Sequence, residues 1–407
     1  MRLLISFAAL FLSIALVQLG AGTLGPLDAL SGTVLGFSTR EIGLLGSAHF
    51  AGFFAGCLAT PRIMGRVGHS RAFAAFAAFG AIGALLHPII QEPFAWAAMR
   101  VLSGASVAGC YTIAESWLQA KADNENRGRI SSVYRTVDMG ASLVAQMMVG
   151  FLEPATYISY NIVACALCLC LLPLTLTKAA APSIPQSPKV SILRAIRASP
   201  LGAAGVVTVG LTNSSFRMVG PLYGTQNGLT AKEVGLFLAA ALAGGALAQP
   251  FVGWAADKFD RRLVLIVISA MALAVCGFIS TRPEIQSFGQ LAAASFLFGA
   301  TAFPLYSISA AHANDFTSKD YVVELNASLM VLYGIGAIVS PLLASELISQ
   351  YGPSAMFLYI GAAHVGLIAF GLFRMTRRAG IEPRTPYTYR PRTSFVLERL
   401  FKRKQDK

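Results

Sequence analysis

Residues 253–262 read GWAADKFDRR and lie between two long apolar runs, ALAGGALAQPFV before them and LVLIVISAMALAVCGF after them. Five charged residues are concentrated in this short stretch, namely Asp257, Lys258, Asp260, Arg261 and Arg262. A weaker copy, PRIMGRVGHSR, occupies residues 61–71, and aligning Arg66 with Lys258 gives an offset of 192 residues. Because this offset is close to half of the chain without its polar C-terminal tail, we expect two related halves.

The composition of the chain is that of a membrane protein. Apolar residues make up 55% of the 407 positions, charged residues make up 13%, and mean hydropathy is +0.62. Soluble domains carry about 25% charged residues. Apolar runs of about 20 residues, long enough to cross a bilayer, recur along the chain. The predicted spans are 3–27, 42–61, 72–90, 95–119, 130–152, 156–176, 200–227, 232–252, 263–281, 286–311, 323–347 and 353–373. We therefore predict an all-α integral membrane protein with twelve transmembrane helices, the first of which is too long to be a signal peptide.

Lysine and arginine are distributed unevenly between the two sides of the predicted membrane. With the N-terminus inside, the outer loops hold only Arg40, Lys232 and Arg282, Arg100 and Arg217 fall inside helices, and the rest of the 32 Lys and Arg residues flank the inner side. This positive-inside distribution predicts that both termini are cytoplasmic. The net charge of +13 then reflects topology and contact with inner-leaflet lipid, and we expect no nucleic-acid partner.

Breaks in the apolar pattern predict the domain boundaries. The two pseudo-symmetric six-helix bundles are residues 1–176 and 200–373, and the Pro-rich, basic segment 177–199 is predicted to be a cytoplasmic linker. Residues 374–407 are a basic tail that we expect to be solvated in the cytoplasm. Alternatively, SFVLERLF within this tail could form a short amphipathic turn on anionic lipid.

The opening stretch resembles the signature of the major facilitator superfamily, Gly-x-x-x-Asp-Lys/Arg-x-Gly-Arg-Arg. In that family the signature joins helices two and three and is repeated between helices eight and nine. The residues that match it in the second copy are Gly253, Asp257, Lys258, Arg261 and Arg262, whereas Asp260 replaces the second glycine. In the first copy Arg66, Gly68 and Arg71 match, but Pro61 and Gly65 stand where the family has glycine and aspartate.

Predicted helix four carries a second resemblance. Arg100, Gly104 and Ala108 follow the superfamily pattern Arg-x-x-x-Gly-x-x-x-Ala, and Tyr111 and Glu115 continue the same helical face. The stretch AESWLQAKADNENRGRISSVY, in which an acid and Trp end helix four and Arg-Gly-Arg opens helix five, resembles the YcaD-like bacterial branch of the superfamily. Helix five lacks the Gly-Pro element typical of the drug–proton antiporters, which makes drug export the less favoured alternative.

The resemblance implies that helices one, four, seven and ten line a central cavity. The candidate substrate-binding residues on these helices are Arg100, Arg217, Gln18, Asn213, Tyr111 and Tyr306. An arginine inside a membrane must face a wet or paired interior, and two convergent guanidinium groups would suit a carboxylate or another small anion. The alternative is that each arginine pairs with an acid of the protein, for example Arg217 with Asp28.

Proton coupling requires a group whose ionisation changes as water access alternates between the two sides. The candidates are Glu115 first, then Asp138 and His49. Two alternatives stay open, since Arg135 lies one turn before Asp138 and could neutralise it, and a single histidine on an apolar helix is commonly a packing residue.

The family arrangement also implies a cytoplasmic gate, because the turn between helices eight and nine faces the start of helix five. The candidate gating residues are Asp257, Lys258, Arg261, Arg262, Arg127, Arg129 and Arg66. An acid at this turn could contact the positive N-terminus of helix five, while the basic residues would hold the turn at the lipid headgroups. The alternative is a basic turn that serves topology alone.

These observations predict a secondary active transporter in the bacterial cytoplasmic membrane. It would move a small organic solute, expected to be anionic, by proton-coupled alternating access, and would function as a monomer without a cofactor or metal. No nucleotide-binding glycine loop, metal-ligand cluster or nucleophile–His–acid set is present in the sequence, so we predict that the protein is not an enzyme. The alternatives are a proton-driven exporter of drugs or metabolites and a membrane sensor that binds solute without transporting it.

Overall fold

The computed structural model describes residues 2–121, 127–176, 190–281, 287–318 and 320–377, together with Thr385 and Tyr387. Within these residues the regular structure is entirely helical. The helices are α1 (Arg2–Val34), α2 (Thr39–Val67), α3 (His69–Leu86), α4 (Pro93–Lys121), α5 (Arg127–Val149), α6 (Tyr157–Leu169), α7 (Leu171–Thr175), α8 (Ile192–Ala198), α9 (Pro200–Gln226), α10 (Ala231–Lys258), α11 (Arg261–Thr281), α12 (Phe288–Ala302), α13 (Leu305–Asp315), α14 (Val322–Tyr351) and α15 (Ala355–Arg377).

The starts of α2 and α10 are built in the same way. Ser38 and Glu41 form a capping box at α2, in which each side chain accepts a hydrogen bond from the other residue's backbone N–H. Thr230 and Glu233 form the same box at α10. Each box satisfies two backbone donors that a helix N-terminus would otherwise leave without a partner. The two boxes lie 192 residues apart, which is the offset of the sequence repeat.

The turns that precede these boxes also repeat. Gly36 and Gly228 both have φ of 80°, and they too differ by 192 positions. A left-handed backbone conformation of this kind favours glycine, because a side chain would contact the following carbonyl. The repeat that was first visible in the charged turns is therefore also a repeat of local structure.

Most of the long helices are suited to a membrane. In the described part of the chain, nine helices or collinear helix pairs are long and apolar enough to span it, and a tenth counts if α8 and α9, which are bent by 118°, form one span. α4 and α5 are not among them. Both helices carry interior-facing polar residues, such as Glu115 and Gln146, which lower their mean hydropathy.

Most predicted spans differ from the observed helices by a few residues at their ends, and three show differences of another kind or size. α1 continues to Val34 instead of ending at residue 27, and its additional turns bury Asp28 and Ser31. The predicted span 286–311 consists of α12 and α13, which are interrupted at Pro304, where proline cannot donate a backbone hydrogen bond. The predicted span 156–176 likewise consists of α6 and α7.

The fold divides into two compact units. The first comprises Met1–Glu41 and Ala48–Pro188, and its core includes Phe73, Phe76 and Trp117. The second comprises Ile42–Ser47 and Lys189–Arg392. Its core contains an aromatic cluster of Phe216, Tyr223, Phe237, Phe298 and Phe357, whose neighbouring ring centroids lie 4.8–6.3 Å apart.

Candidate functional site

A chain of hydrogen bonds in the first unit connects α1, α4 and α5. The Tyr111 hydroxyl on α4 lies 2.6 Å from Oε1 of Gln18 on α1 and also contacts Oδ1 of Asp138 on α5. Gln18 Nε2 continues the chain, since it lies 3.1 Å from Oγ of Ser142. Gln18, Tyr111 and Ser142 are buried, and Asp138 is half-buried. The structure therefore brings two predicted substrate-binding residues together with one predicted proton-coupling residue.

The second predicted carboxylate lies one turn along the same helices. Glu115 follows Tyr111 by four residues on α4 and is fully buried. It accepts a hydrogen bond of 3.1 Å from the hydroxyl of Tyr134, which precedes Asp138 by four residues on α5. Facing turns of α4 and α5 thus each pair a tyrosine with a carboxylate. Tyr134 has no place among the predicted site residues, although its position one turn before Asp138 is visible in the sequence.

A separate charged cluster surrounds Asp28 near the end of α1. Arg100 Nη1 and His87 Nε2 each lie 3.4 Å from Asp28 Oδ2, and the Tyr160 hydroxyl donates to Oδ1 at 3.0 Å. All four side chains are buried. The pairing of a membrane arginine with a protein acid, which the sequence left open, is therefore observed for Arg100. Its predicted role in substrate binding stays a prediction.

His87 and Tyr160 complete this cluster without a signal in the sequence. The Nδ1 atom of His87 lies 2.6 Å from the Gly83 carbonyl oxygen, so Nδ1 must carry a hydrogen. The other ring nitrogen, Nε2, faces the Asp28 carboxylate. Neither residue lies at a spacing that predicts the contact, because they come from different helices and from a helix end.

His49, the third proton-coupling candidate, packs between helices of the first unit. Its Nδ1 atom lies 3.4 Å from the Ser103 hydroxyl, and its ring contacts Phe50 edge-on at 5.5 Å. A hydroxyl and an aromatic ring are compatible with the packing alternative that the sequence left open, and the role of His49 in proton coupling stays a prediction.

The predicted substrate-binding residues of the second unit have different neighbours from one another. Asn213 is fully buried on α9, where its Oδ1 accepts a bond of 3.3 Å from Thr212. Tyr306 on α13 packs its ring against Tyr333 at 5.8 Å. Arg217 lies one turn after Asn213 and is half-buried.

The charged turn between α10 and α11 is an ion-pair network. Arg261 is buried, and its guanidinium lies 2.7 Å from Asp315 and 3.2 Å from Asp257. Arg262 pairs with Asp260 at 2.6 Å, and Asp260 also accepts the backbone N–H of Arg262. Asp260, which departs from the family signature, therefore caps α11.

These pairs correct one expectation about the turn. Arg261 and Arg262 were expected to reach lipid headgroups, but both are buried against acids of their own unit. Lys258 is exposed and lies 5.0 Å above the Trp254 ring.

The remaining gating candidates lie at helix ends of the first unit. Arg66 is exposed in the last turn of α2, and Arg129 is exposed in the first turn of α5. The side chain of Arg127 lies outside the described residues, as do residues 177–189 of the predicted linker and most of the predicted tail. The gating role of all seven residues stays a prediction.

Comparison with known families and proteins adds to this geometry. The sequence profile described as Major Facilitator Superfamily matches residues 10–230 and 202–405, which together cover most of the chain. The MFS-type transporter YcaD of Escherichia fergusonii is 26% identical over 326 residues, which is 80% of this chain and 84% of that protein. YcaD of Salmonella newport is also 26% identical, over 347 residues. The similarity to the YcaD-like branch is thereby confirmed.

Solved structures of transporters share the fold. The nucleoside transporter NupG aligns with a TM-score of 0.74 at 14% identity and covers 93% of this chain and 100% of its own. The D-xylose–proton symporter aligns with a TM-score of 0.67 at 11% identity and covers 91% of this chain and 96% of its own. At such low identity these similarities concern the fold alone.

Proposed function

Because this chain belongs to the Major Facilitator Superfamily, and is thus a multi-pass membrane transporter and not an enzyme, we propose that it moves a small organic solute by proton-coupled alternating access. In this proposal the chain has twelve spans with both termini in the cytoplasm of a bacterium. It functions as a monomer in the cytoplasmic membrane.

The hydrogen-bond chain Gln18–Tyr111–Asp138 carries the proposal. A phenol has a single hydrogen to donate, yet the Tyr111 oxygen lies within hydrogen-bond distance of both Gln18 and Asp138. When Asp138 is protonated, it donates to Tyr111, Tyr111 donates to Gln18 Oε1, and Gln18 Nε2 donates to Ser142. Protonation of one carboxylate therefore sets every donor along the chain.

Loss of that proton reverses the direction of the hydrogen bonds along the chain. Tyr111 must then donate to the ionised Asp138, so Gln18 must present its amide N–H to Tyr111 and its oxygen to Ser142. A flip of the Gln18 amide makes this possible without moving the backbone, since the two ends of the amide have nearly the same shape. The ionisation of a group on α5 is in this way transmitted to α1. For this reason we place Asp138 before Glu115 as the proton-carrying residue.

The expected anionic character of the solute has weaker support at Arg100, because Asp28 balances its charge. Arg217, which is half-buried on α9, stays a proposed anion-binding residue because the family resemblance places this helix at the central cavity. Two of the structural neighbours are a nucleoside transporter and a D-xylose–proton symporter, but a shared fold does not imply a shared cargo.

The test first identifies the cargo and then measures whether its transport requires a pH gradient. A thermal-shift screen of the purified protein against organic acids, amino acids, sugars and cationic drugs identifies a ligand. Uptake of that ligand into proteoliposomes is then measured with and without a pH gradient. We expect accumulation that requires the gradient. Asp138→Asn should abolish it, while Glu153→Gln, at an exposed carboxylate outside the helices, should leave it unchanged.

Two results would contradict the proposal. Binding of the ligand without its accumulation would support the solute sensor. Accumulation that does not depend on the pH gradient in either variant would contradict proton coupling.

A further inference from the structure

Two residues of the C-terminal tail pack on the charged turn between α10 and α11. Thr385 and Tyr387 are half-buried, and both contact residues of this turn. The expectation of a solvated tail is therefore wrong for these two residues. The contacts join residues 124–138 positions apart, so they are not a consequence of chain proximity.

Tyr387 is held at three points along α10. Its backbone N–H donates to Asp257 Oδ1 at 2.7 Å, and its hydroxyl donates to Gln249 Oε1 at 2.8 Å. Between these bonds its ring lies on Gly253, where an added Cβ would come within 2.8 Å of a ring carbon. The spacing of Gln249, Gly253 and Asp257 by four residues puts all three on one helical face, and glycine in the middle leaves room for the ring.

Thr385 completes the ion pair at the start of α11. Its hydroxyl donates to Asp315 Oδ1 at 2.7 Å and accepts from Arg261 Nη1 at 3.1 Å, and its carbonyl oxygen accepts from Arg261 Nη2. Its backbone N–H donates to Asp315 at 3.0 Å. A buried guanidinium requires acceptors for most of its five donors, and the tail supplies two of them.

We propose that Thr385 and Tyr387 form a strap that positions the Asp257 carboxylate on the charged turn. The strap and Arg261 both donate to Oδ1, which has two lone pairs, so they fix the orientation of the carboxylate and leave Oδ2 for a further partner. In the cytoplasmic gate that the family resemblance implies, that partner is the start of α5. The gating part of this inference thus rests on the proposed function, whereas the docking of the strap does not.

Hydrogen exchange of the full-length protein in nanodiscs tests the docking. The amides of Thr385 and Tyr387 both donate to carboxylates, so peptides that contain them should exchange slowly. Gly253→Ala should speed their exchange roughly tenfold or more, because its methyl group displaces the ring. Gly366→Ala is the matched control, since its methyl group would meet no atom within 4 Å. Tyr387→Phe, which removes the bond to Gln249 but keeps the ring, should give a smaller increase. Fast exchange in the unmodified protein would overturn the strap.

Spin-label distances test the positioning role. With labels at the exposed residues Ser132 of α5 and Phe259 after α10, Gly253→Ala should shift the distance distribution in the same direction as Asp257→Asn. Because the strap acts through Asp257, the double variant should match Asp257→Asn alone. Additive shifts, or no shift with Gly253→Ala, would overturn the positioning role. A failure of proton-driven uptake would leave both measurements unaffected, so the two proposals can fail separately.

Discussion

At the scale of single residues, the main result is that Arg100 has a protein acid as its partner. A cation in the apolar interior of a membrane protein is stabilised by a buried carboxylate far more than by distant water, and Asp28 lies 3.4 Å away with His87 and Tyr160 around it. Arg100 therefore forms a buried ion pair, and any effect of its replacement on transport includes the effect on Asp28.

A double-mutant cycle separates these effects. Arg100→Gln leaves Asp28 without its arginine, and we expect it to destabilise the protein by about 3–5 kcal/mol, as for other broken buried pairs. Adding Asp28→Asn removes the orphaned charge and should recover most of that loss. Thermal unfolding in detergent measures both. If the double variant is as unstable as Arg100→Gln, the ion pair with Asp28 does not explain the contribution of Arg100 to stability.

Tyr111 is the second residue whose replacement is informative. Tyr111→Phe keeps the ring but removes the hydroxyl that links Gln18 to Asp138, so we expect a loss of about 1 kcal/mol in stability together with a loss of pH-driven accumulation. Tyr134→Phe is the matched control, because it removes the same group from the contact with Glu115. Retained coupling in Tyr111→Phe with lost coupling in Tyr134→Phe would return Glu115 to first place.

At the scale of the helices, the two halves are more alike in their turns and helix caps than in their sequences. The turn glycines at 36 and 228 and the capping boxes that follow them recur at one offset, while the residues between them differ. A cap depends only on residues within one turn, so its effect should be the same in both halves.

This equivalence can be measured. Ser38→Ala and Thr230→Ala each remove the side chain that accepts the N3 amide, and each should destabilise the protein by about 1 kcal/mol. Equal shifts of the thermal midpoint are the expected result. A shift in only one variant would show that surrounding contacts, and not the cap, set the stability of that helix start.

At the scale of the whole molecule, Asp257 belongs both to the ion-pair network of the charged turn and to the predicted cytoplasmic gate. Asp257 is half exposed, in contrast to the buried Arg261 and Asp315 beside it. We expect its carboxylate to favour closure on the cytoplasmic side by contacting the start of α5. The first-half turn has Gly65 where an acid would stand, so the gate should depend heavily on this one contact.

Asp257→Asn should therefore move the resting population toward the inward-open state. A contact of about 1–3 kcal/mol changes a conformational ratio by roughly 5- to 150-fold. Spin-label distances between α5 and α10 report the populations. An unchanged distribution would mean that Asp257 serves only its own turn and the tail.

The sequence alone determined the class of the protein, its two-fold repeat and its family. These follow from properties that accumulate along the chain, namely apolar runs of membrane length and motifs of fixed spacing such as that from Gly253 to Arg262. Helical periodicity also placed Tyr111 and Glu115 on one face, since residues four apart on a helix share a side.

Only the tertiary structure decided the partners of the charged residues. Asp28 contacts residues from α4 and α6 and the end of α3, and Arg261 contacts Thr385 across 124 positions. Helical spacing predicts which side a residue occupies but not which helix lies opposite it, because that choice depends on packing among all of the helices. The partner of a buried charge is therefore set by packing. Arg100 pairs with Asp28, and Arg261 donates hydrogen bonds to Thr385 of the tail.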